Sequence, residues 1–478
     1  MNLSLVALFR IIFLVFVAII FCITLNAYVG KWYIYTIFTI LINGFVLFGF
    51  REKKFFFETF LGIFIWLGYW LKFSCRVAFY EGSFVDPVGQ FSFQGEAYDR
   101  ALTVIICSVF ALLLSSYVRD RLQFNYSNKK KSSNSQKIPI KTQYLKIGWI
   151  LFFLLIVIIT YTNFKFGIYQ RGVPPRTLLP LGLNGVYTWL LLFGMASISS
   201  VFLNYEFKKN GKPSYIVFFL AIFETFLSSI SMLSRGFVLN ITALGLGTYE
   251  EAKNAKIQIN IRKLILIFIG FLFAFCLSVF ATNYIRSDVF HGPEESMVKW
   301  EASVLQKVQA VAKSTTVLFV DRWVGIEGVM AASSYDKLGW DLWKTAWKEK
   351  FYNTGTSFYD LTLIQTPYEA TRVIDHHFIT LPGFIAFFFY PGSYIFLFCS
   401  MLILYILGIV LEWLAYNLSG GNLILCSLLA QVWAYRYAHF GYVPKQTYLL
   451  FGSVLFNIFL VFIVINFIKK RKSILYDY

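Results

Sequence analysis

Hydrophobic positions in this chain neither alternate nor keep to one helical face. They run almost unbroken for about 18 residues or more, and such runs recur along the whole of its 478 residues. At the rise of an α-helix, about 20 apolar residues cross the hydrocarbon core of a bilayer. The pattern therefore predicts membrane-spanning helices near 11–29, 32–50, 55–74, 101–118, 147–164, 185–204, 214–232, 236–249, 264–282, 386–413, 422–438 and 447–468. An open sheet is excluded because lipid offers no partner to its edge groups. A β-barrel would show alternating segments of about ten residues, and none occur. The expected fold is all-α, a polytopic integral membrane protein of about 12 transmembrane helices. The eighth span is short and the tenth carries a Pro391-Gly392 break, which allows a partly re-entrant path there.

Composition agrees. The chain is 58% hydrophobic and 14% charged, against about 25% charged in a soluble domain, and its mean hydropathy is +0.63. Charge then sets orientation. With the N-terminus inside, the cytoplasmic segments are Arg10, 51–54, 119–146, 206–212, 250–263 and 469–478. They hold 23 Lys/Arg and 6 Asp/Glu, or +17 of the chain's net +18. That is the asymmetry the positive-inside rule describes. The high basicity thus reads as topology and contact with anionic membrane lipids, and gives no argument for nucleic acid. The organisation expected is one membrane domain over 1–478, with a basic cytoplasmic linker at 119–146 and external loops at 163–185 and 283–381. Low complexity is confined to "SNKKKSSNSQK" (127–137) in that linker. The first span, without a small-residue cleavage site after it, reads as an uncleaved anchor. The six cysteines fall in or beside apolar spans and form neither a disulfide framework nor a zinc site.

The distribution of arginine changes the picture further. Nine of fifteen arginines fall on or near the external side, whereas the cytoplasmic segments are mostly lysine. Lysine serves as a point charge on head groups, but arginine's planar fork suits bidentate capture of phosphate. The external set includes Arg171 and Arg176 in "YQRGVPPRTLLPLG", Arg235 at the tip of the hairpin "LSRGFVLN", and Arg286, Arg322 and Arg372 in the large loop. Arg436 and His439 follow in "AYRYAHFGY". All four histidines (His291, His376, His377, His439) are external as well. Such a surface suits phosphate stabilisation with proton transfer. Within the large loop, residues 295–320 and 340–352 show helical periodicity. The tryptophans Trp340, Trp343 and Trp347 form one face, suited either to the outer leaflet or to packing on other helices.

No P-loop, Asp-x-Asp, His-Glu-x-x-His or Cys-x-x-Cys occurs, so nucleotide hydrolysis, nucleotide-sugar use and zinc hydrolysis lack their usual residues. Glu224 lies mid-span and is a candidate for substrate work or for a structural partnership. Glu58 and Glu412, near inner ends, read as structural.

Taken together, these features resemble the bacterial O-antigen or oligosaccharide repeat-unit polymerases of the Wzy type. The likeness lies in about a dozen spans, cytoplasmic termini, a modest arginine-bearing external loop mid-chain and a large one later. An Arg-ten residues-Gly pattern occurs in both loops, from Arg171 to Gly182 and from Arg372 to Gly383. "DHHFITLPG" loosely resembles the external-loop histidine of the related O-antigen ligases. The resemblance implies glycosyl transfer on the outer face of the bacterial cytoplasmic membrane, from an undecaprenyl-pyrophosphate-linked glycan to a sugar hydroxyl of a second lipid-linked unit. It implies no cofactor and no metal, and a chain-length regulator as a candidate protein partner. Arginines would meet the charge developing on the leaving pyrophosphate. A base drawn from Asp375, His376 and His377 would take the hydroxyl proton, with Glu327, His439 or a carboxylate of residues 80–101 as substitutes. Those histidines could equally cap the helix entering the tenth span. Two other functions stay open: a polyprenyl-phosphate-dependent glycosyltransferase or ligase-like enzyme using Asp86, Glu96 or Asp99, and a lipid-linked glycan flippase.

Overall fold

The computed structural model describes residues 5–51, 55–122, 142–172, 175–212, 214–234, 236–257, 266–282, 284–285, 319–349, 357–365, 380–441 and 444–476. Among them regular structure is helical, without a β-strand. The helices are α1 (Leu5–Ala27), α2 (Trp32–Gly49), α3 (Phe56–Phe79), α4 (Gly95–Arg121), α5 (Thr142–Phe166), α6 (Pro180–Asn210), α7 (Tyr215–Ser231) and α8 (Phe237–Asn254). They continue with α9 (Leu266–Thr282), α10 (Ile326–Ser334), α11 (Trp340–Trp347), α12 (Phe358–Thr362), α13 (Gly383–Phe389), α14 (Tyr394–Leu418), α15 (Leu423–Ala438) and α16 (Pro444–Tyr476). Eight, α1 to α6 with α14 and α16, are long and apolar enough to cross a membrane, and α7, α9 and α15 are shorter apolar helices. The chain has the character of a polytopic membrane protein, and each predicted span falls on a helix.

The bundle is built around α15, which packs on α3, α8, α14 and the second half of α6. With apolar lipid outside, small residues and close backbone contact hold such helices together. Gly247 of α8 shows this: a Cβ there would stand 2.6 Å from the Ile424 Cα. Beside it, the Ser427 hydroxyl donates to the Ala243 carbonyl at 2.7 Å.

Helix α3 is the other buried element, and its middle turn, Trp66–Leu71, is a π-helix. Here the backbone of the large loop enters the bundle. The Lys72 ammonium donates to the Trp323 carbonyl at 3.1 Å, and the Arg76 fork grips both oxygens of Asp321. Gly68 admits the strand of backbone, since a Cβ would lie 2.3 Å from the Val324 oxygen. Helix α10, which follows, is buried along its length and packs on α4 and α13. This stretch of the large loop is therefore a plug inside the helices.

Two further expectations are refined. The Pro391-Gly392 break separates α13, a short buried helix, from the long α14, whose N-cap Ser393 accepts from the Phe396 N–H. The tryptophan stripe packs inward: Trp343 and Trp347 stack on each other at 5.2 Å and lie against Phe387, Phe396 and Phe440. Only Trp340 keeps half its surface. At the opposite end of the bundle, Glu58 binds Arg51, Arg119, Ser116 and Tyr405. Glu412 there accepts from the Phe56 and Phe57 N–H groups at the start of α3. Both carboxylates are structural, as read from sequence.

Candidate functional site

Helix α5 stops at Phe166 and the chain turns at Gly167, whose φ of +57° favours glycine. The returning segment lies on the hairpin between α7 and α8. Buried Asn163 fastens it there: its amide donates to the carbonyls of Tyr169 (3.0 Å) and Ser231 (2.9 Å), and its oxygen accepts from the Tyr169 N–H (2.9 Å). A backbone bond from Arg171 to the Met232 carbonyl, 2.9 Å, completes the join. Arg171 is thereby held over the hairpin tip.

Helix α15 supplies the facing side. Tyr435 and His439 are four residues apart and share a face. Their rings stack at 3.9 Å, and His439 Nδ1 lies 3.0 Å from the Tyr435 carbonyl. A carbonyl only accepts, so that contact places the imidazole proton on Nδ1 and leaves Nε2 as an acceptor.

Between these elements lies a cavity of about 510 Å³. Arg171, Arg436, His439, Tyr169 and Tyr435 line it, together with Thr225, Ser228, Asn240 and Gln431. A π-helical turn in α6, Leu190–Gly194, contributes Leu191, Leu192 and Phe193 to an apolar wall. Wide turns of this kind recur at functional sites. Buried side-chain oxygens of Gln170 and Gln431 have no hydrogen-bond partner among the described residues.

The electrostatics favour an anion. Among the described residues that line the cavity there are two guanidinium groups and no carboxylate. Burial works against the charge on Arg171, but the Tyr435 and Tyr169 hydroxyls more than offset it and raise its affinity for the proton. Burial pushes the His439 imidazole down to about 3; the charges of Arg436, Arg171 and Arg322 add to this and the Tyr435 carbonyl opposes it. Near pH 7 it is neutral. A bound anion would draw a proton onto it, because a nearby negative charge favours the charged form.

The sequence-predicted residues divide clearly. Arg171, Arg436 and His439 converge on the cavity. Arg322 lies close enough for its charge to bear on His439. Arg176 does not join them: it is exposed, and its aliphatic stem covers Gly167. Glu327 is likewise elsewhere. Its carboxylate stands 2.6 Å from the buried Lys72 ammonium, with Asp86 at 3.6 Å from the same nitrogen. Burial pushes the Glu327 carboxyl up to about 7, with Lys72 pulling the other way. Of the other acidic candidates, Asp99 accepts from the Tyr28 hydroxyl and the Lys31 N–H, and Glu96 is exposed. Arg235, Arg286, Arg372, Asp375, His376 and His377 lie outside the described residues, although Ser234 and Gly236, which flank Arg235, both line the cavity.

Several cavity residues carried no sequence signal strong enough to select them. Gln431 and Asn240 are lone amides in largely apolar runs, and Asn163, which braces the site without lining it, sits among Thr160, Thr162 and Lys165. Tyr435 had a faint one, its i, i+4 spacing to His439. No family model, curated protein or solved structure matches this chain.

Proposed function

We propose that this chain polymerises lipid-linked oligosaccharide repeat units, acting as a glycosyltransferase of twelve spans in the bacterial cytoplasmic membrane with its cavity at the outer face. The donor is a glycan on undecaprenyl pyrophosphate, and the acceptor is a sugar hydroxyl on a second such unit. The single observation that carries this reading is the convergence of Arg171, Arg436 and His439 on one cavity without a lining carboxylate among the described residues. Pyrophosphate leaves with its charge unmet unless donors stand ready, and preorganised guanidinium groups supply them. His439 is neutral beforehand, and the negative charge of a bound anion favours its charged form. The apolar wall from α6 suits the first isoprene units of the lipid. The charge of Arg322, which bears on His439, adds positive potential.

The test is reconstitution. The purified chain in liposomes receives undecaprenyl-pyrophosphate-linked repeat units extracted from a strain lacking it, and products are resolved by size. A ladder of polymer is expected, and Arg171→Lys or Arg436→Lys should slow it by about 10²–10³, because lysine loses the fork. Transfer of single sugars from a polyprenyl monophosphate, or lipid translocation without bond formation, would overturn the polymerase reading and select an alternative enzyme or a flippase.

A further inference from the structure

Behind the cavity wall lies a carboxylate that the anion site does not use. Glu224, in α7, is 1% exposed. Its Oε1 accepts from the Ser228 hydroxyl at 2.9 Å, and its Oε2 lies 3.2 Å from the Thr225 hydroxyl. Ser228 and Thr225 both line the cavity. Among the described residues no lysine, arginine or histidine forms an ion pair with Glu224. An unpaired buried carboxyl is costly in a membrane helix, and such groups mark function by default.

The hydrogen bonds say what this one does. Thr225 has a single hydroxyl proton, and its shorter bond, 2.8 Å to the Ala221 carbonyl, uses it. The lone pairs of Thr225 are then free to accept from Glu224 Oε2 when that oxygen carries a proton. On the other side, Ser228 donates to Oε1 and is itself part of the cavity lining, and its hydroxyl oxygen still has lone pairs with which to accept. The carboxyl therefore has Ser228 as donor to Oε1 while ionised, and the same Ser228 oxygen can accept from Oε1 once the proton has moved there, with Thr225 available to Oε2.

We infer that Ser228 and Glu224 form the proton route for the attacking sugar hydroxyl, an inference that rests on the polymerase reading above. The acceptor hydroxyl donates to Ser228 Oγ. As its oxygen bonds to the donor's anomeric carbon, its proton passes to Ser228 and the Ser228 proton passes to Glu224 Oε1. The bond from that carbon to the pyrophosphate oxygen breaks, and the electron pair leaves with undecaprenyl pyrophosphate toward Arg171 and Arg436. Ser228 touches the substrate, whereas Glu224 acts through it. Among the described residues the other titratable groups lining the cavity are Tyr169, Arg171, Tyr435, Arg436 and His439. The acid and anion functions thus fall to different elements, α7 for Glu224 and the 169–171 segment and α15 for the arginines.

The experiment uses the full chain in liposomes with the lipid-linked repeat units, and rates are normalised to sites that bind undecaprenyl pyrophosphate. Glu224→Gln keeps size and an oxygen for Ser228 but cannot accept the proton. It should lower kcat about 10²–10³-fold, within the usual range for loss of a general base, with KM and undecaprenyl-pyrophosphate affinity within about twofold of the parent. Ser228→Ala should act in the same direction, and Ser228→Thr, which restores a hydroxyl, should recover most of the rate. Polymer made by the parent chain with an unchanged kcat in Glu224→Gln would overturn the proton route alone, leaving the base to Asp375, His376 or His377. A kcat effect that Ser228→Thr does not relieve, or one confined to KM, would also overturn it. A parent chain that binds the lipid but makes no polymer would overturn the functional reading beneath it.

Discussion

Removing one partner of the Lys72–Glu327 pair should destabilise the protein far more than removing both. The two charged groups stand 2.6 Å apart, and Lys72 is fully buried. At an effective dielectric near 20, their attraction is roughly 6 kcal/mol. Desolvation of two ions consumes several kcal/mol each, so the intact pair contributes little net stability. Breaking it is different, because the survivor keeps its desolvation cost and loses the attraction. That costs about 3–5 kcal/mol. Glu327→Gln should sit at the low end of the range, since Lys72 retains the Trp323 carbonyl and Asp86. Lys72→Met leaves Glu327 without its ion-pair partner, with only the more distant charge of Arg76, itself paired with Asp321, still bearing on it. Burial already pushes this carboxyl up to about 7, and loss of Lys72 raises it further. A carboxyl whose folded-state affinity for protons exceeds its unfolded one contributes stability that is complete below the unfolded pKa, near 4.5, and lost as pH rises through the folded value. The Lys72→Met protein should therefore melt progressively lower from pH 5 to pH 8. The slope should approach about 1.4 kcal/mol per pH unit while the carboxyl titrates. The double variant Lys72→Met/Glu327→Leu should melt near the parent. Thermal unfolding in detergent, followed by tryptophan fluorescence at several pH values, reads all of this. Single variants that melt with the parent, or a double variant as weak as the worse single, would refute the account of the plug as held by a buried ion pair.

Three other outcomes are expected. Because His439 is held near 3 in the fold and near 6.5 when unfolded, stability present above pH 6.5 is lost as pH falls. By pH 5 the parent should lose on the order of 1–2 kcal/mol that His439→Gln does not, and equal melting losses in the two would refute this. Asn163→Ala removes two bonds to Tyr169 and one to the Ser231 carbonyl, and should cost about 1–3 kcal/mol while weakening undecaprenyl-pyrophosphate binding through Arg171. Asn163→Asp should not rescue it, since two carbonyls would face a carboxylate, and binding unaffected in both would sink the clamp. In intact cells, with native cysteines replaced, a cysteine at Lys337 should react with an impermeant thiol reagent and one within 127–137 should not. The opposite labelling would invert the proposed topology.

The helices were legible because lipid leaves one local rule. Apolar runs must become helices, and the runs did so to within several residues at the ends, the tenth as two helices either side of Pro391-Gly392. Helices outran the runs where polar residues still favour helix once the hydrocarbon ends, as at Arg119 and Arg121 in α4 and Glu250 to Asn254 in α8. The plug was not legible. Residues 319–334 carry Asp321 and Glu327, so their pattern reads as surface. Residues 325–333 are nonetheless buried, and the two carboxylates enter with them because partners 245 and 255 positions earlier, Arg76 and Lys72, neutralise them. No periodicity encodes a partner so distant.

The same limit explains the site. Side and charge type could be read from sequence, because the positive-inside rule assigns faces and arginine differs from lysine in kind. Those two facts selected Arg171, Arg436 and His439, but they also selected Arg176, five residues from Arg171 and equally external. What separates the two is the turn at Gly167, which carries Arg171 onto the α7–α8 hairpin and lays Arg176 back over the turn itself. Convergence is a property of such turns and of the clamp at Asn163, and both act through contacts between distant segments. The carboxylate at Glu224 shows the converse. Its position in an apolar run marked it at once, because its isolation is costly whatever surrounds it. Its chemistry stayed hidden until the hydroxyls one and four residues onward, Thr225 and Ser228, could be placed on the cavity wall. In a membrane bundle the local sequence shows which polar groups must have a use, and the tertiary fold decides which of them share it.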